Sequence, residues 1–200
     1  NYLRRRGDPE AWLQVREDNP AAITLYQSAG FIKKVVRTTW RVRPLDMEQI
    51  RPNPSLTLQV RNRSQQDWRQ QLAWLSEVYP FEIRWNLPVD FNRLAPGFFH
   101  SLGNLLDGMR FNHWAFFMDE EMQGVITWQK TTAFANNLWL AFPPEKEDAV
   151  LPAALAFVMN RLARKQPLSI DYPRGRSREF FEKLGFEAFR TLIWMRCALK

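Results

Sequence analysis

One stretch of this chain is written twice. Leu13–Phe31 lines up without a gap on Leu168–Phe186, 155 positions further on. Each copy reads as strand, turn, short helix, Gly-Phe, strand. In the first copy Trp12–Arg16 is a short apolar strand. Asn19 is a good N-cap, and Pro20 suits the first helical position. Ala22, Leu25, Tyr26 and Ala29 then form an i, i+3, i+4, i+7 stripe. Gly30 ends the helix as a left-handed cap would. Phe31–Val42, rich in Val, Thr and Trp, reads as a strand. The second copy predicts a strand over Leu168–Tyr172, a helix over Ser177–Leu184 and a strand over Phe186–Leu199. A repeat spaced by about one domain length implies two related units.

The chain opens on Asn1 inside a helical pattern that runs to Arg6 and stops at Gly7. The expectation is a fragment or a processed product whose first unit lacks its front. Residues 1–45 would be the C-terminal part of that unit. Residues 46–54, within a proline-bearing stretch with no periodicity, would be a linker. Residues 55–200 would be a second unit, complete in outline. In that unit Leu56–Val60 alternates like a strand. Trp68, Leu72, Leu75 and Tyr79 give one helical face, and Phe98, Phe99, Leu102, Leu105, Leu106 and Met109 give another. His113–Met118 and Gly124–Thr132 read as strands around an Asp119-Glu120-Glu121 turn. Asn136-Asn137 reads as a turn into a strand over Leu138–Phe142. Leu151, Ala154, Leu155, Val158, Met159 and Leu162 mark a long helix. Strand, two helices, three-strand meander, helix, strand, helix, strand predicts an α/β (α+β) fold, a mixed twisted sheet with helices on both faces.

Composition narrows the function. No run of eighteen apolar residues occurs, so no membrane helix is expected. No charged-then-apolar leader opens the sequence, and the expected compartment is the cytoplasm. The single cysteine, Cys197, excludes an internal disulfide and reads as a buried structural thiol. The two histidines, His100 and His113, offer no zinc spacing, so no metal is expected. The net charge of +7 is scattered apart from Arg4-Arg5-Arg6. That run suits a helix C-terminus better than a nucleic-acid patch. Trp128 and Trp139 sit where strands could line a pocket, although alternation makes core the plainer reading.

The element order, with the pattern apolar-x-Val-x-x-x-Asn-x-x-Ala-x-x-Leu-Tyr-x-x-x-Gly-Phe, resembles the GNAT superfamily of acetyl-CoA-dependent N-acetyltransferases. Val15, Asn19, Ala22, Leu25, Tyr26, Gly30 and Phe31 carry the match. The resemblance implies a tandem pair covering the chain, acetyl-CoA as cosubstrate, and transfer of acetyl to an amine. The acceptor would be a small-molecule or peptide amine, and a homodimer is open. It implies that Asn19 contacts the cofactor arm and that Tyr26 protonates the departing thiolate. The family's Arg/Gln-x-x-Gly-x-Gly/Ala segment, aligned on Pro144-Glu145, places Glu147 at the basic or amide position and Val150 and Pro152 at the glycines. Glu145, Glu147 and Asp148 repel phosphate, and Pro152 has no N–H to offer. Arg174 and Phe181 stand where the first copy has Asn19 and Tyr26. The second unit is therefore expected to be degenerate. The alternative is a non-catalytic module of the same fold that binds or dimerises.

Overall fold

The computed structural model describes residues 9–44, 58–162 and 166–199. The expected linker 46–54 and the opening helical turn at 1–6 lie outside them. The strands are β1 (Glu10–Arg16), β2 (Ile32–Val42), β3 (Gln59–Asn62), β4 (Arg110–Met118), β5 (Glu121–Lys130), β6 (Asn136–Ala141), β7 (Leu168–Pro173) and β8 (Glu187–Ala198). The helices are α1 (Pro20–Ser28), α2 (Trp68–Val78), α3 (Phe81–Arg84), α4 (Phe98–Leu106), α5 (Pro144–Arg161) and α6 (Arg178–Lys183), with a 3-10 turn over Phe91–Leu94. This is the mixed α/β class that the sequence order predicts.

The chain divides into two compact units. One gathers residues 9–40, 171–176 and 188–199. Its strand order is β1-β8-β2-β7. The two copies of the repeat are therefore interleaved. Each copy's last strand lies beside the other copy's first. β1 pairs antiparallel with β8, with Val15 opposite Ile193. The two sides are joined alike: the Glu17 N–H donates to the Thr191 carbonyl at 3.0 Å, and the Arg174 N–H donates to the Val36 carbonyl at 3.0 Å, with the donor shifted by two positions between the copies. Sequence reading placed both copies but not this interleaving, because local periodicity carries no information about which strands pair. Val15, Ile193 and Met195 form the core, with Leu13, Ala22, Ile23, Tyr26, Phe31 and Val36 packed on it. Ile23 takes the inward position assigned to Leu25, which is 63% exposed. On the β2–β7 side the Arg37 guanidinium is buried and pairs with the Asp171 carboxylate. It also donates from Nη2 to the Asp171 carbonyl at 2.8 Å.

The other unit holds residues 41–44, 58–162, 166–170 and 177–187, with strand order β7-β6-β5-β4-β3. β3, β4, β5 and β6 run antiparallel in turn. Asp119 and Glu120, with φ of 48° and 65°, make the tight β4–β5 turn. Helices cover both faces. On one face α2 packs on β6, where Tyr79 and Trp139 meet edge-on at 5.3 Å. On the other, Phe157 of α5 meets Phe116 of β4 at 6.0 Å. Gly124 is required there: a Cβ would come within 2.1 Å of the buried Phe142 ring. Three expectations shift. Asn136 and Asn137 begin β6 rather than turning into it. The long helix starts seven residues before Leu151, at Pro144, and carries Pro152 inside. α4 has no buried residue, and Phe98, Phe99, Leu105 and Leu106 lie at its exposed surface.

Candidate functional site

Asn19 and Tyr26 sit on α1. Asn19 has the non-helical backbone of a cap, and its Oδ1 accepts the Ala22 N–H at 3.0 Å. Pro20 follows as the first helical residue. One side of the amide is thus spent on the helix, and the exposed NH2 remains free to donate. Tyr26 is half-buried, its ring edge-on to Phe31 at 5.9 Å. No group among the described residues hydrogen-bonds its hydroxyl. The helix ends with Gly30 at φ 91° and with the Phe31 N–H on the Tyr26 carbonyl at 3.0 Å.

The second copy repeats this geometry with different chemistry. Gly185 has φ 82°, the Phe186 N–H reaches the Phe181 carbonyl at 2.8 Å, and the two rings meet edge-on at 5.9 Å. Phe181 is wholly buried and has no hydroxyl. Arg174, at the Asn19 position, pairs with Glu17 on the surface. The α6 cap is Ser177, with φ 51° and no side-chain bond to its own helix. Its hydroxyl instead donates to the Glu147 carboxylate. Glu147 lies in the first turn of α5 and is 3% exposed.

That helix follows directly on β6. β6 and β7 run parallel but pair only at Asn136 with Leu168 and Asn137 with Ser169. A splay of this kind beside a helix N-terminus can seat an anion through free N–H groups. Here a buried carboxylate, Glu147, occupies the turn, while Pro152 lies two turns further in, away from the free N–H groups. The residues present do not fit a pyrophosphate.

His113 is structural in its bonding. Its Nδ1 lies 2.8 Å from Thr127 Oγ1, which also accepts from Gln71 Nε2 at 2.9 Å. Burial, reinforced by the charge of Arg63, pushes its pKa down to about 3, so the ring is neutral at neutral pH. Trp139 is core, and its Nε1 donates to Gln129 at 2.9 Å. Cys197 is half-buried rather than buried, with its sulfur near Ala29. Among the described residues no helix is long and apolar enough to cross a membrane, and no cluster of three or more His, Cys, Asp or Glu is placed to hold a metal.

No protein-family model matches the chain. A 40-residue stretch is 48% identical to a mycothiol acetyltransferase of Geodermatophilus obscurus; it covers 20% of this chain and 13% of that protein. Among solved structures, a GCN5-related N-acetyltransferase from Kribbella flavida superposes with TM-score 0.57 at 12% identity, over 94% of this chain and 68% of that one. A tandem GNAT protein from the clavulanic acid biosynthesis pathway gives TM-score 0.58 at 14% identity, over 98% and 66%. The chain thus spans about two thirds of these structures and a small part of the curated relative. At these identities the likeness establishes the architecture: the chain has the fold of the GCN5-related N-acetyltransferases.

Proposed function

We propose that this chain is part of a tandem N-acetyltransferase that moves acetyl from acetyl-CoA to an amine, and that its first copy carries the chemistry. The observation behind this is the unequal repeat. Both copies share the strand-helix-strand frame and the glycine cap, but only the first presents an amide N–H and a phenol without structural partners. The short match to a mycothiol acetyltransferase and the superposed tandem structure support it.

In this reading Asn19 donates to the cofactor arm. The amine attacks the thioester carbon, a C–N bond forms and the C–S bond breaks. The Tyr26 phenol gives its proton to the departing sulfur, and a base takes one from the amine. A phenol and a thiolate close in pKa suit that exchange. The second copy takes no part, because Glu147 opposes phosphate and Phe181 offers no proton.

A second reading is a module of this fold without turnover. The buried Glu147–Ser177 bond favours it, since it places a carboxylate in the first turn of α5. Calorimetric titration of the whole chain with acetyl-CoA separates the two. Saturable heat that is lost in Asn19→Ala supports the enzyme. No heat at millimolar acetyl-CoA leaves the binding module.

A further inference from the structure

The second unit has a large groove of its own. It opens at the start of β4, the end of β5 and the start of β6, the opposite end of β6 from Glu147. Its volume is about 1120 Å³, the scale of a small-molecule site, for which about 300–1,000 Å³ is usual. Arg63, Arg110, Lys130 and Arg161 line it, and no carboxylate does. None of these four cations has an ion pair with a carboxylate among the described residues. Phe111, Trp114 and Trp128 supply an aromatic wall.

The buried donors there lack acceptors. Nε and Nη1 of Arg63 are shielded from solvent with no hydrogen-bond partner, and so is the Trp128 indole N–H. An orphaned buried donor costs about 1–3 kcal/mol, and four cations sharing one concavity repel. Burial pulls the Arg63 guanidinium down to about 10, and the charge of Asp67, which lies outside the groove lining, offsets this only in part. His113, neutral beside it, adds no fifth charge.

We propose that this groove binds the phosphates of a small phosphorylated molecule. Clustered phosphates match four unpaired cations, and the aromatic wall can take a planar ring. The groove's limited volume favours a small molecule over a nucleic-acid strand, which needs an extended track. This does not depend on the acetyl-transfer reading, whose residues lie on α1.

The test titrates the whole chain with ATP and with inorganic tripolyphosphate at low salt. Both should bind and weaken severalfold as salt rises. Arg110, Lys130 and Arg161 are exposed, so charge reversal there leaves the core intact. Arg110→Glu/Lys130→Glu should weaken both ligands by about tenfold or more, with an unchanged melting profile. Lys183→Glu, on α6, should bind as the parent does. Tighter ATP than tripolyphosphate assigns a ring to the aromatic wall; equal binding assigns phosphate alone. No heat at millimolar ligand, or a double variant that binds normally, overturns the proposal. An oligonucleotide whose affinity climbs with length well past that of ATP overturns the small-molecule source.

Discussion

The helix that follows β1 and the helix that follows β7 are the same device put to different uses. Both close on a left-handed glycine and both lay an aromatic ring edge-on to the next Phe at 5.9 Å. What differs is the depth of that first ring and the way each helix starts. Tyr26 is half-buried with a free hydroxyl, while Phe181 is sealed. Asn19 caps its own helix, whereas Ser177 turns away to hold a buried glutamate. The glycine-capped end of each helix is therefore scaffold, which the fold demands of both copies. The copies part at two places, the cap and the first ring.

The difference gives ordered consequences for stability, each readable by urea unfolding. The largest is at the ring. Phe181→Ala should cost about 4 kcal/mol, and Tyr26→Ala about half of that, because less of the side chain is buried. Equal losses would mean the two rings are equally structural. Next is the ion pair found on one side only. Asp171→Ala should cost about 3 kcal/mol, since it removes the carboxylate that pairs with a buried guanidinium. Arg16→Ala, at the equivalent place, should cost under about 1 kcal/mol, because its pair with Asp18 is exposed. At the caps, Ser177→Ala should cost about 2 kcal/mol by leaving the Glu147 carboxylate a donor short. Asn19→Ala should cost about 1 kcal/mol as an ordinary lost cap. The smallest effects should be equal: Gly30→Ala and Gly185→Ala each lose about 1 kcal/mol at a positive φ. A clear inequality there would break the claim that the two helix ends are one motif.

Much of this was legible from the residues. The repeat announced itself through Asn19-Pro20, Gly30-Phe31 and Gly185-Phe186, since caps and glycine turns are local. Glu147 stood out in sequence as a carboxylate out of place for phosphate, and the structure buries it in the first turn of α5. The interleaving of β2 and β8 was not, because strand pairing over this separation leaves no local trace. The cationic groove was also hidden. Arg63, Arg110, Lys130 and Arg161 come from four separate segments and look like scattered surface charge until the sheet gathers them. The α4 face misled for the opposite reason: its apolar stripe has helical spacing, yet α4 has no buried residue.

The most direct test of the unequal repeat is release of free CoA thiol from acetyl-CoA by the whole chain, with a panel of amines, in Tyr26→Phe and in Arg174→Ala. The account predicts turnover that falls about a hundredfold in Tyr26→Phe, the scale of a lost general acid, and stays within about twofold in Arg174→Ala, a surface change. Turnover that survives Tyr26→Phe and collapses in Arg174→Ala would contradict it, as would a parent protein that turns over none of the amines.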